Sequence, residues 1–131
     1  MRAVLLVFLG GGLGSVLRYG MGLFAAQRLG AFTAASGWPW GTFLVNVIGC
    51  FVIGLCYRLL PIPADGPPSA RLLLMTGVLG GFTTFSAFAL DSALLWMRQD
   101  SQALALYLGG TLASTLIGVA LGLWIGEAFR S

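Results

Sequence analysis

The 131-residue sequence contains no histidine and no lysine, and it has only four acidic residues. The usual acid/base, metal-ligand and triad combinations cannot be assembled from this set, so an enzyme is not expected. The basic charge is carried by arginines spread along the chain, which makes nucleic-acid binding improbable. The two cysteines, Cys50 and Cys56, lie about 240° apart around one helix, so we interpret both as packing residues rather than a disulfide or a metal pair.

Charge of either sign is scarce, because charged residues make up 8% of the chain and hydrophobic residues 58%, with a mean hydropathy of +0.94. Soluble domains have about 25% charged residues, so this composition indicates an integral membrane protein. About 20 apolar residues cross a bilayer as a helix. The length therefore predicts one all-α transmembrane domain over residues 1–131, with spans near residues 3–26, 41–60, 71–97 and 103–125.

The connections between spans carry the expected breakers. We predict a connection from Gln27 to Pro39, interfacial tryptophans at Trp38 and Trp40, and a proline-rich loop over residues 61–68. If the N-terminus is cytoplasmic, the arginines near cytoplasmic ends outnumber those outside only modestly: Arg2, Arg58, Arg71 and Arg130 against Arg28 and Arg98. Such a shallow bias specifies orientation weakly and permits insertion in both directions.

The third span is too long for one straight crossing and contains glycines, hydroxyls and three phenylalanines over residues 77–88. Non-helical backbone at membrane depth is tolerated only where it is buried in protein or lines a polar cavity. We therefore predict that this helix is broken in mid-membrane at Gly80-Gly81 and the threonines that follow. Elsewhere, Gly10 and Gly14, and the four-residue spacing of Gly118, Gly122 and Gly126, indicate close helix packing.

Several polar or aromatic residues in the spans are candidates for function, and each has a simpler interpretation. Arg18 either snorkels or pairs with Asp91, or it forms a cationic vestibule for an anion. Asn46 either bonds to another helix or faces a pore. Tyr107, Thr111 and Thr115 recur at every fourth residue and place three hydroxyls on one helix face.

The phenylalanines at steps of three, Phe82, Phe85 and Phe88, are either a packing stripe or ring edges along an anion path, since an aromatic ring has a positive edge. Carbonyls of a broken helix at Gly80 and Thr83 are suited to hold a cation.

Three segments of the chain resemble the Fluc family of small fluoride channels, also called CrcB proteins. They are GSVLRY at residues 14–19, GTFLVNVIGCF at 41–51 and GGFTTFS at 80–86. The resemblance implies a dual-topology antiparallel homodimer of four-helix subunits in the bacterial cytoplasmic (inner) membrane, with two fluoride pores and a structural sodium ion at its centre. Three positions depart from the family pattern: Ala87, Ala89 and Asp91.

Carried over residue by residue, the resemblance implies that Phe85 and Phe88 line the pore, with Asn46 as the pore amide. It places Arg18 near the vestibule, and it places the sodium ion on the backbone carbonyls of Gly80 and Thr83. The implied polar residues of the pore are Ser86, Tyr107, Thr111 and Thr115. The expected partners are fluoride, a second copy of the chain and the lipid bilayer.

Two other classes of protein remain as alternatives. A small multidrug-type proton-coupled exporter also has four helices, but it needs a membrane-embedded carboxylate, typically in the first span, and the first span here has none. Asp91, late in the third span, is the only candidate for that role. A non-transporting assembly protein explains the glycine faces but not the interrupted third span.

Overall fold

The computed structural model describes residues 1–60 and 69–130, so the predicted loop at 61–68 lies outside the described residues. Every regular element in the described part is helical. Four helical segments are long and apolar enough to cross a membrane: Arg2–Ala31, Trp40–Leu59, Ser69–Met97 and Ser101–Ala128. The all-helical architecture with four such segments agrees with the prediction from composition.

Helix α1 covers Arg2–Ser36 and is longer than predicted. The connection expected from Gln27 to Pro39 is wrong over most of its length, because residues 27–36 contain no proline and continue the helical ladder. The helix ends where Gly37 adopts a left-handed conformation (φ 66°) and donates its N–H to the Thr33 carbonyl at 2.7 Å. Only three residues then separate α1 from α2, which covers Trp40–Leu59.

The third segment, Ser69–Met97, is composite. It consists of a short α-helical turn α3 (Ser69–Arg71), a π-helical stretch (Leu72–Leu79), a further turn α4 (Gly80–Phe82) and helix α5 (Phe85–Met97). Between α4 and α5, Thr83 and Thr84 have extended backbone dihedrals. A tight turn, with Gln99 at φ 60°, leads to α6 (Ser101–Ala128).

Glycines bring the helices together in two parallel pairs. In the first pair, α1 lies against the third segment, where a Cβ on Gly10 or Gly14 would meet backbone atoms of residues 73–82. In the second pair, α2 lies against α6, where a Cβ on Gly122 would meet the Phe51 carbonyl. The predicted packing at Gly10, Gly14, Gly118, Gly122 and Gly126 is confirmed, since each approaches a neighbouring helix this closely.

Few side chains are buried in the single chain. The buried apolar residues include Val45, Leu95 and Tyr107, while large apolar side chains along α1 and α6 face outward. This distribution is the opposite of a soluble domain and suits helices whose outer faces meet lipid or another protein.

Candidate functional site

Two non-helical residues, Thr83 and Thr84, connect α4 to α5. Thr83 has φ −78° and ψ 157°, and Thr84 has φ −152° and ψ 115°. Thr84 also begins α5, because its Oγ1 accepts the N–H of Ala87 at 3.2 Å. The chain therefore leaves one helix and enters the next within two residues.

Asn46 of α2 holds the backbone of Thr84 in this conformation. Its Nδ2 donates to the Thr84 carbonyl at 3.0 Å, and its Oδ1 accepts the Thr84 N–H at 2.8 Å. The amide thus bonds to both backbone groups of Thr84, whose N–H has no helical acceptor, and it is itself buried. Of the two interpretations of Asn46, the bond to another helix is present, and the side chain also borders a cavity described below.

The same hydrogen bonds leave two carbonyl groups without their usual donors. In a continuous helix the Thr84 N–H would bond to the Gly80 carbonyl and the Ala87 N–H to the Thr83 carbonyl. Asn46 Oδ1 takes the first donor and Thr84 Oγ1 takes the second. The carbonyls of Gly80 and Thr83, which the resemblance implies as sodium ligands, are therefore among those that lose their helical donors at this junction, together with the carbonyls of Gly81 and Phe82 at the end of α4.

A cavity of about 240 Å³ lies beside the Asn46–Thr84 contact, between α2, α5 and α6. It brings together predicted site residues from three helices, including Asn46, Phe85 and Thr111. The remaining lining residues are Cys50, Thr83, Thr84, Phe88, Leu112 and Thr115. Since one water occupies about 30 Å³ in the liquid, the cavity is large enough for several water molecules or small ions.

The two phenylalanines form one wall of this cavity. The ring centroids of Phe85 and Phe88 are 5.6 Å apart, and the Phe88 ring lies 5.2 Å from that of Tyr107. Phe85 is 79% exposed in the single chain, whereas Phe88 is half-buried. Phe82, the third member of the predicted stripe, is buried and does not line the cavity, so only two of the three rings face it.

The hydroxyl column on α6 divides into three different environments. Tyr107 is fully buried and donates to Asp91 Oδ2 at 3.3 Å, outside the cavity lining. Thr115 bonds back to the Thr111 carbonyl at 2.9 Å. Thr111 Oγ1 is buried and has no hydrogen-bond partner among the described residues. Thr111 is thus the member of the column whose hydroxyl remains available to a bound species.

Ser86 and Arg18 lie apart from this cavity. The Ser86 hydroxyl is 3.1 Å from Thr84 Oγ1, and Ser86 does not line the cavity. Arg18 lines a second cavity of about 220 Å³, together with Thr42, Thr84 and Ala87. Within residues 1–60 and 69–130 Arg18 has no ion pair, so the alternative in which it pairs with Asp91 is not present.

Thr84 borders both cavities, and sequence reasoning assigned it no role. Its position just before α5, three residues ahead of Ala87, is typical of a helix N-cap and would have indicated it. Cys50, interpreted as a packing residue, lines the first cavity one helical turn after Asn46. It and Cys56 are free thiols, as expected. No group of three His, Cys, Asp or Glu side chains that could hold a metal ion occurs in the described part of the chain.

These features define a small membrane protein of four crossing segments with an internal polar site at a helix junction. A family model described as "CrcB-like protein, Camphor Resistance (CrcB)" matches residues 5–123. The chain therefore belongs to the CrcB family, and it is a multi-pass membrane protein.

Curated relatives match over nearly their full length. A protein of Rhizobium johnstonii named fluoride-specific ion channel FluC is 44% identical over 127 residues, covering 97% of each chain. A protein of Chloroflexus aurantiacus with the same name is 42% identical over 131 aligned positions, covering 96% of this chain and 99% of its own. A Hyphomonas neptunium protein of that name is 45% identical, covering 97% of each.

Proposed function

We propose that this protein is a passive fluoride channel and not an enzyme. The observation that carries the proposal is the cavity beside Asn46, which combines one unpartnered hydroxyl, Thr111, with two phenylalanine rings and no charged side chain. Fluoride is small and strongly hydrated, so a pore must replace its water with hydrogen-bond donors and positive ring edges while binding weakly enough to release it. The names of the relatives point to the same ion.

The roles within the pore follow from the environments of the side chains. Thr111 supplies a hydroxyl donor, and the second N–H of the Asn46 amide supplies another, because only one is given to Thr84. Phe85 and Phe88 present ring edges. Arg18 raises the local concentration of anions in the second cavity, which Thr84 borders from the other side. Tyr107, held by Asp91, fixes the position of the Phe88 ring.

We further propose that Thr83 and Thr84 form the predicted mid-membrane break of the third helix. The working unit is then an antiparallel dual-topology homodimer with two pores. In support, the exposed Phe85 ring leaves the cavity wall incomplete in one chain, and a second copy would cover it. Labelling of Ser101→Cys, at the exposed start of α6, tests the topology in a background lacking Cys50 and Cys56. Labelling from both sides of the membrane is expected, and labelling from one side only would contradict dual topology.

The structural sodium ion would be held by the carbonyls of Gly80 and Thr83, whose helical donors, the N–H groups of Thr84 and Ala87, bond instead to the side chains of Asn46 and Thr84. A hard cation prefers such oxygen ligands, and it would supply the positive charge that holds two subunits together at this point. Replacing sodium with a bulky organic cation during purification is expected to lower the melting temperature of the dimer. An unchanged melting temperature after the sodium has been removed would contradict the assignment.

Fluoride efflux from proteoliposomes under a clamped membrane potential tests the main proposal. We expect efflux of fluoride but not of chloride, without any requirement for a proton gradient. If a pH gradient instead drives uptake of lipophilic cations, the protein is a proton-coupled exporter. The proposal disfavours that outcome because Asp91, the candidate proton carrier, lies outside the cavity and accepts a hydrogen bond from Tyr107.

A further inference from the structure

A third cavity, of about 460 Å³, lies at the end of the molecule where α2 ends, the third segment begins and α6 ends. Three of the chain's seven arginines line it: Arg58, Arg71 and Arg130. The proposed fluoride path uses none of them. We propose that this cavity, called here the arginine cavity, binds a phosphate group, and specifically the headgroup of an anionic phospholipid.

The positive charge of the arginine cavity is only partly compensated. Arg58 pairs with Glu127 at 2.9 Å. Arg71 Nη2 donates to the carbonyls of Tyr57 and Leu60, at 2.7 and 2.9 Å, which fixes the guanidinium without neutralising it. The side chain of Arg130 has no partner within the described ranges.

Two helices, α2 and α6, end at the arginine cavity, and the C-terminus of a helix carries about half a negative charge. These two half charges and the Glu127 carboxylate amount to about two negative charges, against three arginines and about half a positive charge from the N-terminal end of the third segment. A net positive charge of about one to two units therefore remains in the described residues, which suits a phosphodiester anion.

The chemistry and depth of the cavity favour a lipid over a soluble anion. The planar guanidinium group of arginine can donate two hydrogen bonds to one phosphate. The position of the Arg71 guanidinium is fixed by its two bonds to carbonyls and by the Tyr57 ring, whose centroid is 5.0 Å from the guanidinium carbon. Leu59, Leu60 and Phe129 line the same cavity. Ends of apolar spans lie at headgroup level, so apolar side chains beside the arginines suit the glycerol and upper acyl chain of a lipid.

The test is native mass spectrometry of the purified full-length chain with phosphatidylglycerol or phosphatidylcholine. Wild type is expected to retain phosphatidylglycerol in preference. Arg130→Gln should retain about fivefold less, the effect of one basic side chain near an anionic lipid. Arg28→Gln, an exposed arginine on α1, is the matched control and should behave as wild type. Glu127→Gln should retain more, because it releases Arg58 from its ion pair.

A second experiment distinguishes a lipid headgroup from a soluble phosphate as the ligand. It measures thermal unfolding in lipid-free detergent with and without inorganic phosphate. One outcome is that phosphate stabilises wild type but not Arg130→Gln, while phosphatidylglycerol is not retained in preference. The arginine cavity then binds a soluble phosphate, which supports phosphate binding but not lipid binding. Equal retention of the two lipids with no phosphate effect overturns the proposal. So does equal loss in Arg28→Gln and Arg130→Gln, because the attraction would then be general surface charge. None of these readouts depends on fluoride conduction.

Discussion

The side chain of Asn46 bonds to both backbone groups of Thr84, 38 residues later in the chain. The amide thereby supplies the acceptor that the Thr84 N–H lacks outside a helix, and it adds a donor to the Thr84 carbonyl, the N-cap carbonyl of α5. The junction between α4 and α5 depends on this contact, since an unsatisfied backbone group in a membrane is costly. The contact also borders the candidate pore, so the same residue determines the local fold and the site.

Asn46→Leu is expected to destabilise the protein and abolish fluoride efflux. The substitution leaves the Thr84 N–H unpaired, at a cost of about 1–3 kcal/mol, whereas the Thr84 carbonyl keeps the bond from α5 that an N-cap carbonyl accepts. Thermal unfolding in detergent measures the effect. Thr33→Val is the control, because Thr33 donates only to a carbonyl of its own helix. A melting temperature of Asn46→Leu equal to that of wild type would show that the contact does not hold the junction.

Thr111→Val and Thr115→Val form a matched pair with opposite expectations for efflux. Thr111→Val removes the unpartnered hydroxyl in the cavity, and efflux should fall roughly tenfold or more, because a hydrogen bond to a charged species contributes about 1.5–3 kcal/mol. Its stability should not fall, since no protein hydrogen bond is lost. Thr115→Val should conduct nearly as wild type, because that hydroxyl is already bonded to its own helix. Equal efflux in the two variants would remove Thr111 from the pore.

Phe85→Ile and Phe88→Ile should each reduce fluoride efflux by removing a ring edge from the cavity wall. They should differ in stability, because Phe88 also contacts Tyr107 and such an aromatic pair contributes about 0.5–1.5 kcal/mol. Phe8→Ile, on the outward face of α1, is the control for loss of an exposed ring. Normal efflux in both cavity variants would leave the phenylalanines with a packing role only.

Gly122→Ala should destabilise the α2–α6 pair, whereas Gly109→Ala should be neutral or stabilising. A Cβ on Gly122 would meet the backbone of Phe51 and Leu55, and such overpacking costs about 1–3 kcal/mol. A Cβ on Gly109 would meet no atom of the described residues within 4 Å outside its own helix, so alanine there gains up to about 1 kcal/mol of helix propensity. Both variants are compared by thermal unfolding, and an equal response would mean that α2 and α6 are not packed through Gly122.

Much of the architecture was predictable because it depends on local composition. The apolar runs gave four spans, and the glycine spacing gave the packing faces. The end of α1 was misplaced because Gln27 to Ser36 contain polar residues but no helix breaker, and polarity alone does not end a helix. Residue type, period and the family resemblance selected candidate site residues, but which of them lie together at the cavity was not predictable.

By itself, the sequence determined that this is a four-span membrane protein, because span length and residue type are properties of short segments. Only the tertiary structure decided that Asn46 holds Thr84, that Thr111 alone of its column keeps a free hydroxyl in the described structure, and that Ser86 lies outside the cavity. Those relationships depend on how helices rotate and approach one another, and the packing of glycines across two helix pairs fixes that arrangement.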